Sequence, residues 1–371
     1  MNRYKVAIIG CGRVAEKHLK AYSKLKDRLE LVSVSDLDMD HAKQLLAERG
    51  FTGVKIYSDY EEMLNTEKVD ICAITVPSGL HYKIATFCLN KGIHILLEKP
   101  MTMSNTQSKE LYELAQKADK KIAMGHIYRY FPIVGILRED LKNGEFGKIT
   151  HGTICVRWGH GQDYYDSAAW RGTWKSDGGA LMNQSIHAID LLLWLMDSRA
   201  VSVTSKLARR LRNIEAEDVG MAVMELESGA LAMLEGTTAT LPNDKEAMFS
   251  IFCENGSVSL GLKKGKPSLN IRNGKGRSLN FKYIRKQLSK GGFKSFSYAL
   301  NPHTGIYMDL VNAIDNNTQP IADAYAGYSS VDNLLGIYMS AKEGRSIALP
   351  LDSEFCSEDM IGFFEKNENN G

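Results

Sequence analysis

Apolar-rich runs of strand length alternate with amphipathic stretches through the first third of the chain. These runs are Val6–Ile9, Leu29–Ser35, Val69–Val76, His94–Leu97 and Ile122–Gly125. Such runs are typical of parallel strands that are buried on both faces. Between them, apolar residues recur at helical spacing, as in the stretch from Ser104 to Ala118. The alternation predicts an α/β fold with a doubly wound parallel sheet.

After Gly125 the pattern changes to longer segments in which apolar and polar residues alternate. The predicted strands are Ile149–Trp158, Val201–Leu211, Asp218–Leu226, Ala230–Thr240 and Lys245–Glu254. Alternation of this kind, with short glycine-containing turns between the segments, is typical of an antiparallel sheet with one covered face. We therefore predict a second, α+β domain with a large, mostly antiparallel open sheet. The predicted domains are residues 1–126 and 127–371.

Length and composition limit the functional classes. A chain of 371 residues is long enough for two domains. The net charge of +2 argues against a general role in binding nucleic acid or membranes. The longest apolar run, Ile189–Met196, contains Asp190 and is too short to span a bilayer. The six cysteines have no paired spacing, which indicates reduced thiols and a cytoplasmic protein without a cysteine-based zinc site.

A glycine-rich turn follows the first strand directly. Residues 10–15 read Gly-Cys-Gly-Arg-Val-Ala, the alanine form of the G-x-G-x-x-G dinucleotide motif. Gly10 and Gly12 permit a tight turn that brings the backbone close to a pyrophosphate, with Arg13 and Val14 at the start of the following helix. Asp36 ends the second strand, where a carboxylate accepts hydrogen bonds from a ribose 2′-hydroxyl. The motif predicts NAD as cofactor, although Arg13 leaves NADP as the alternative.

Two further strands of the predicted parallel sheet end in distinctive polar sequences. Thr75-Val76-Pro77 follows one strand, with His81 at the start of the next helix, and Glu98-Lys99-Pro100 follows another. The carboxyl ends of parallel strands meet at one edge of the sheet, where ligands bind in open α/β folds. We therefore expect the glycine turn and these two segments to cluster, with Lys99 available to hydrogen-bond a substrate hydroxyl.

The second half contains one segment with candidate chemistry. Two glycines, Gly178 and Gly179, precede a predicted helix that carries Asn183 and His187. Residues four apart lie on the same face of an α-helix. Asp190, three residues beyond His187, is placed to orient the imidazole ring. The pattern favours a ligand-binding Asn–His pair over a histidine in the core.

Residues 263–294 carry eleven lysines and arginines and no acidic residue. One interpretation is a solvated, mobile hairpin. The other is a contact with a diphosphate-bearing substrate or with an acidic neighbouring subunit. The sequence leaves both open.

Taken together, these motifs resemble those of the glucose–fructose oxidoreductase/inositol dehydrogenase (Gfo/Idh/MocA) family over nearly the whole chain. The resemblance implies an N-terminal Rossmann domain, a C-terminal domain whose open sheet forms a homodimer or homotetramer, and NAD(P)-dependent oxidation or reduction of a sugar or cyclitol. It implies Lys99 as the catalytic lysine and His187 as the second catalytic group. The predicted cofactor contacts are Gly10, Gly12, Arg13, Val14, Asp36, Thr75, Val76, Pro77, His81, Glu98, Lys99, His126, Trp170, Arg171 and Tyr307. The predicted substrate contacts are Lys99, Arg129, Asn183 and His187, and no metal is expected.

One position departs from the inositol dehydrogenase pattern, which has an aspartate where this chain has Asn183. An amide cannot act as a base, so proton transfer would fall to Lys99 or His187. The Asn-Gln-x-x-His sequence, with Trp170 to Trp174, is more similar to bacterial dehydrogenases that oxidise C3 of UDP-N-acetylglucosamine or its uronic acid. A free-sugar or cyclitol dehydrogenase is the alternative activity, and a non-catalytic NAD-binding sensor is the alternative class.

Overall fold

A computed structural model describes residues 2–291 and 301–368 of the chain. The chain forms two compact units. The first contains the described residues within 1–102, 107–131 and 296–328, and the second those within 103–106, 132–295 and 329–371. Within the described ranges, no helix combines the length and apolar character needed to cross a membrane.

The first unit is built on a six-stranded parallel sheet in the order β3-β2-β1-β4-β5-β6. Its strands are β1 Tyr4–Ile9, β2 Leu29–Ser35, β3 Lys55–Tyr57, β4 Ile71–Ile74, β5 His94–Leu97 and β6 Ile122–Met124. The helices that accompany them are Ala15–Lys24, Met39–Glu48, Tyr60–Thr66, His81–Asn90, Asn105–Lys117 and Pro302–Asn316. The predicted doubly wound parallel sheet is confirmed. The chain order reverses between β1 and β4, the position at which ligands bind in this architecture.

The helix Pro302–Asn316 belongs to the first unit although it follows the whole second sheet in sequence. It packs along the helix Ala15–Lys24, where the Tyr307 and Tyr22 hydroxyls are 2.6 Å apart. The Tyr4 hydroxyl also donates to Asp315 over 2.6 Å. The predicted boundary between residues 126 and 127 leaves this helix out, because its placement depends on side-chain contacts nearly 300 residues apart in sequence rather than on local pattern.

The second unit contains an eight-stranded sheet in the order β13-β12-β11-β7-β10-β9-β8-β14. Its strands are β7 Ile149–Trp158, β8 Ala200–Ala208, β9 Val219–Leu226, β10 Leu231–Thr237, β11 Lys245–Cys253, β12 Gly256–Lys263, β13 Lys266–Asn273 and β14 Ile347–Ala348. The pair β7–β10 is parallel and the other pairs are antiparallel, as the alternating pattern predicts.

Helices cover one face of this sheet. They are Pro132–Lys142, Gln162–Asp166, Ile186–Met196, Asn280–Gly291, Ala324–Glu343 and Phe363–Glu368. The helix Ile186–Met196 packs directly on β7, where a side chain at Gly152 would come within 2.6 Å of the Met196 sulfur. Glycine in the strand therefore allows the helix to approach closely.

Strand β8 ends at Ala208, three residues before the predicted end at Leu211. The Asp218 carboxylate accepts hydrogen bonds from the backbone N–H groups of the next residues, Arg210, Leu211 and Arg212, at 2.7–2.9 Å. These groups are thereby drawn out of the strand ladder into a loop. Apolar alternation does not reveal such a competing acceptor.

As far as Gly291, the basic segment consists of the end of β12, strand β13 and a helix, and residues 292–294 lie outside the described residues. Strand β13 pairs with β12, and the helix Asn280–Gly291 follows. Tyr283 is buried in this helix and its hydroxyl donates to Asp140 over 2.7 Å. Lys286 also donates to Asp140, over 2.5 Å, so one acid of another helix anchors this helix.

Candidate active site

The glycine turn lies at the carboxyl end of β1 and leaves its backbone open on one side. Gly10 has a φ of +95°, and a side chain there would come within 2.9 Å of Val76 and 3.0 Å of the Thr75 backbone. At Gly12 a side chain would meet no atom within 4 Å. The following helix begins at Ala15 without a side-chain cap, so no side chain occupies the N-terminus of this helix. This arrangement fits a dinucleotide pyrophosphate.

Asp36 ends β2 and stands beside this turn. One carboxylate oxygen accepts from the Cys11 N–H over 2.5 Å, and the other accepts from the Asp38 N–H over 2.9 Å. Two hydrogen bonds leave further lone pairs on a carboxylate. The side chain is thus fixed in place and can still accept a ribose hydroxyl.

The three predicted strand-end segments are neighbours in the first unit. The Thr75 hydroxyl donates to the Gly10 carbonyl over 2.5 Å, which joins the ends of β4 and β1. The Glu98 N–H donates to the Ile74 carbonyl over 3.1 Å, and the Gly125 N–H donates to the Leu97 carbonyl over 2.7 Å. Lys99 follows at this edge, partly buried, with a cis peptide bond to Pro100. The clustering that the parallel topology predicts is therefore present.

Glu98 is the centre of a buried hydrogen-bond network that the sequence does not indicate. The Nε2 atoms of His18 and His303 each lie 3.1 Å from Glu98 Oε1. His18 Nδ1 is 2.7 Å from the Tyr307 hydroxyl, which in turn contacts Tyr22. Because His18 Nε2 faces a carboxylate, we assign the proton to Nε2, so that Nδ1 accepts from Tyr307.

Burial and hydrogen bonding have opposing effects on the ionisation of this network. Burial raises the pKa of Glu98, but the hydrogen bonds from His18 and His303 outweigh it and hold the pKa well below its usual value. Burial lowers the pKa of His18 and keeps its ring neutral. The site therefore holds a carboxylate stabilised by imidazole N–H donors.

The same three groups offer donor atoms within 4.8 Å of one another, which makes them the candidate for a metal site. Both imidazole nitrogens, however, lie at 3.1 Å from a single carboxylate oxygen. That is an ordinary hydrogen-bond length. Hydrogen bonding therefore accounts for the geometry of His18, Glu98 and His303 without a cation.

Several predicted cofactor contacts make hydrogen bonds within the protein. The His81 ring lies between two carbonyl oxygens, that of Pro100 at 2.7 Å and that of Val76 at 3.0 Å, and so joins the segments after β5 and β4. Tyr307 is fully buried in the Glu98 network. Both residues position the edge of the sheet. Direct contact of either with the cofactor remains a prediction.

Two predicted residues follow β6 in the first unit. His126 is buried, with 1% of its surface exposed. Arg129 is partly exposed, and its guanidinium donates to the Ile321 carbonyl over 2.8 Å. Contact of His126 with the cofactor and of Arg129 with the substrate remain predictions.

In the second unit, the segment carrying Asn183 begins differently from the predicted helix. Residues Leu181–Ser185 form one wide π turn, and the α-helix follows at Ile186. Gly178 has a φ of +68°, and a side chain there would come within 2.5 Å of Met182. A π turn changes the angular relation of residues four apart, so the predicted α-helical face does not apply to Asn183 and His187 as stated. Single π turns within helices are frequent at functional sites.

Asn183 is oriented by a buried aspartate. Its side-chain N–H donates to one Asp177 oxygen, while the other accepts from the Gly172 N–H over 3.0 Å. The side-chain oxygen of Asn183, Oδ1, accepts a hydrogen bond from the Gln184 side-chain amide over 3.0 Å. An aspartate at position 183 would place two carboxylates in contact, and one would have to keep a proton. Asp177 thus explains why an amide stands at this position.

An aromatic and polar cluster, which the sequence pattern does not predict, adjoins Asn183. His160 stacks on Tyr164 with ring centroids 3.8 Å apart, and its Nε2 lies 3.4 Å from the Gln184 amide nitrogen. Arg171 donates to the Tyr164 hydroxyl over 2.6 Å and lies over the exposed Trp170 ring. The only signal for His160 was its position between two glycines just after a strand.

Comparisons with known proteins agree over nearly the whole chain. An oxidoreductase family with an NAD-binding Rossmann fold matches residues 4–126, and the GFO/IDH/MocA C-terminal domain matches residues 136–259. The WlbA dehydrogenase from Chromobacterium violaceum, solved with NADH and UDP-GlcNAcA, is 31% identical, with 95% of this chain and 98% of that chain covered and a TM-score of 0.83. The Bordetella pertussis WlbA dehydrogenase, solved with the same ligands, is 30% identical, with coverage of 95% and 99% and a TM-score of 0.85. The D-glucoside 3-dehydrogenase of Escherichia coli (strain K12) is 26% identical over 366 residues, covering 93% of this chain and 97% of the relative.

Proposed function

The chain belongs to the glucose–fructose oxidoreductase/inositol dehydrogenase family, and from this premise we propose that it oxidises C3 of a UDP-N-acetyl-hexosamine or its uronic acid with NAD. As a member it is an NAD-binding sugar dehydrogenase that acts on CH–OH groups. The observation that carries the substrate proposal is the similarity, over 95% of the chain, to two dehydrogenases solved with NADH and UDP-GlcNAcA. The 3-dehydrogenase activity of the E. coli relative supports oxidation at C3.

The first unit supplies the residues for cofactor binding and one candidate for proton transfer, Lys99, while the other candidate, His187, belongs to the second unit. The open side of the Gly10–Ala15 turn takes the pyrophosphate, and Asp36 accepts from the adenosine ribose. When bound, the nicotinamide ring supplies the acceptor for the hydride that leaves the sugar C–H bond. Lys99 or His187 takes the proton of the sugar hydroxyl as the carbonyl forms. One hydrogen of the alcohol thus leaves with both electrons as hydride to the nicotinamide, and the other leaves as a proton to the base. Asn183, oriented by Asp177, binds a sugar hydroxyl or the diphosphate.

The substrate assay separates this proposal from its alternatives. NAD reduction at 340 nm would be compared for UDP-N-acetylglucosamine, its uronic acid, methyl glucoside and myo-inositol. We expect kcat/KM to be highest for one of the two nucleotide sugars, with a 3-keto product identified by mass spectrometry after borodeuteride reduction. Preference for methyl glucoside or myo-inositol would establish the free-sugar or cyclitol alternative. Tight NAD binding without turnover of any sugar would favour a sensor.

We also propose that the open face of the second sheet forms a homo-oligomer interface. Met221 and Val223 on β9 and Leu231 and Met233 on β10 are about half exposed, at 48–53%, and they alternate with buried residues. The pairing of Met233 with Val223 places these apolar side chains side by side. Adjacent apolar residues on an exposed sheet face are typical of subunit interfaces.

Introducing charge on this face tests the interface. We expect the Met221→Lys/Met233→Lys variant to give a smaller species than the wild type in light scattering coupled to size exclusion, because burying lysine side chains in an apolar interface carries a desolvation cost. The control is Leu211→Lys, an exposed loop residue of the same unit that lies outside the sheet. An unchanged mass for the double variant, with a native circular dichroism spectrum, would exclude this face as the interface.

A further inference from the structure

Glu217 is a fully buried acid that holds the start of the π turn in the second unit. It immediately precedes Asp218 and strand β9, and none of its surface is exposed. Its Oε1 atom accepts from the Leu181 N–H over 2.8 Å and from the Tyr338 hydroxyl over 3.0 Å. Its backbone carbonyl accepts from the Ala180 N–H over 2.9 Å. One residue thus binds two successive N–H groups of the segment that carries Asn183.

The second oxygen of this carboxyl group is in a different situation. Glu217 Oε2 is buried and has no hydrogen-bond partner among the residues that the structure describes. A side chain at Gly179 would come within 2.2 Å of this oxygen and within 2.2 Å of the Glu217 carbonyl oxygen. The Gly179 backbone therefore closes directly over the carboxyl group. An ionised oxygen there would be buried without a donor, which costs far more than a buried neutral group.

The surrounding charges do not favour ionisation. Burial raises the pKa of Glu217 to about 8 and the neighbouring Asp218 carboxylate adds to the effect, while the hydrogen bonds from the Leu181 N–H, from the backbone N–H of Glu217 itself and from Tyr338 oppose it. Tyr165 is a further titratable group near enough to interact with Glu217. In the described part of the chain, Glu217 forms no ion pair with a lysine, arginine or histidine. The Asp218 side chain accepts hydrogen bonds from three backbone N–H groups.

We propose that Glu217 is a proton-dependent positioning residue: as a neutral acid it keeps the Gly178–Ser185 turn closed, and release of its proton opens this turn and frees the Asn183 side chain. The ionised oxygen can gain hydrogen bonds from water only if Gly179 moves away from it. The effect on catalysis rests on the proposed function, in which Asn183 binds the substrate. The effect on the turn itself does not.

The sign of the pH effect follows from the two ionisation states. In the closed turn Glu217 titrates near pH 8, whereas an exposed glutamate titrates near its ordinary value of 4.5. Opening therefore releases one proton between these two pH values. The equilibrium constant for opening should rise about tenfold per pH unit in this window and level off above it.

Hydrogen exchange at the Ala180 and Leu181 amides measures this opening without any substrate. The Glu217→Gln variant cannot ionise, so it corrects for the intrinsic pH dependence of exchange. We expect the ratio of wild-type to variant exchange rates to rise about tenfold per pH unit between pH 5 and 8. Glu225→Gln, the same substitution at an exposed position of β9, should follow the wild type at every pH. A constant ratio for Glu217→Gln across this range would overturn the proposal.

A second variant covers the case in which Glu217→Gln does not fold. Tyr338→Phe removes a hydrogen bond that lowers the Glu217 pKa, so the upper end of the transition should move to higher pH. The fluorescence of Trp174 provides an independent readout, since its ring lies 5.1 Å from that of Tyr338 in wild-type protein. An unshifted transition in Tyr338→Phe would count against the proposal.

Enzyme kinetics then test the consequence for the substrate. With UDP-N-acetylglucosamine uronic acid and NAD, the wild-type KM for the sugar should rise relative to that of Glu217→Gln as the pH increases from 6 to 8.5, with kcat less affected. If the KM values of the wild type and of Glu217→Gln change with pH in parallel, ionisation of Glu217 has no effect on substrate binding. If no sugar is turned over but the exchange ratio changes with pH, the proposed function fails while the positioning role of Glu217 stands.

Discussion

Replacing Lys99 with alanine will lower kcat by at least about 10²–10⁴-fold, the usual contribution of a general base. Lys99 follows directly on Glu98 at the carboxyl edge of the parallel sheet and is partly buried. The glycine turn and Asp36 follow other strands, and Asp36 is held by the Cys11 and Asp38 N–H groups. We therefore expect the dissociation constant for NADH, measured by fluorescence titration, to change less than about threefold while turnover collapses.

The matched control is Lys91→Ala, which removes an exposed lysine just before β5 in the same unit. It should keep wild-type kcat and NADH affinity, since exposed substitutions away from a site have small effects. Near-normal turnover by Lys99→Ala would mean that another group, with His187 first in line, accepts the hydroxyl proton. Loss of NADH binding in Lys99→Ala would instead assign the residue to cofactor binding.

Replacing Glu98 with alanine will destabilise the protein by about 2–6 kcal/mol, because two buried imidazole N–H donors lose their acceptor and each such loss costs about 1–3 kcal/mol. The substitution removes the acceptor of two imidazole N–H groups, those of His18 and His303, in a region that is almost fully buried. Glu113→Ala, at an exposed position of the helix Asn105–Lys117, should change stability by less than about 0.5 kcal/mol. A loss below about 1 kcal/mol in Glu98→Ala would show that the network contributes little.

The pH dependence gives this prediction a second test. The folded-state pKa of Glu98 is lowered, so its stabilising contribution is present at neutral pH and is lost as the pH falls below the ordinary carboxyl value of about 4.3. The lowered pKa of His18 also makes acid destabilising, beginning near the ordinary imidazole value of about 6.5. The deficit of Glu98→Ala should narrow only below the ordinary carboxyl value, where wild-type Glu98 loses its contribution, because the destabilisation through His18 is present in both proteins.

The method of detection matters for this experiment. All four tryptophans, Trp158, Trp170, Trp174 and Trp194, belong to the second unit, so tryptophan fluorescence would miss unfolding confined to the first. Differential scanning calorimetry, or far-ultraviolet circular dichroism during urea unfolding, reports on both units. We expect a transition that moves in Glu98→Ala and is unchanged in Glu113→Ala.

The secondary structure and the motifs at the strand ends follow from the amino-acid sequence alone. Strands, glycine turns and the carboxylate after β2 are encoded by residues within a few positions of one another, because backbone hydrogen bonding imposes short periods on the side chains. Parallel topology then brings the ends of β1, β4 and β5 to one edge of the sheet. The sequence alone therefore predicts that Gly10, Thr75 and Glu98 lie close together.

The side chains that surround these residues come from distant parts of the sequence and depend on the tertiary fold. His303 meets Glu98 across 205 positions of sequence, and His18 meets Tyr307 across 289. The spacing of apolar residues does not indicate such long-range contacts, because each of these side chains fits its own segment whether or not the contact forms. The hydrogen bonds that favour ionised Glu98, and the burial that favours neutral His18, therefore became visible only with the fold.

The second unit shows the same division at the π turn. The sequence determined that two glycines precede a polar segment with Asn183 and His187. It did not reveal that Asp177 orients the Asn183 amide, or that Glu217, 36 residues from Leu181, binds the turn from the loop before β9. Those contacts depend on which buried acid faces which backbone N–H group once the sheet is formed. The free energy of such a group is set by its complete surroundings rather than by its neighbours in sequence.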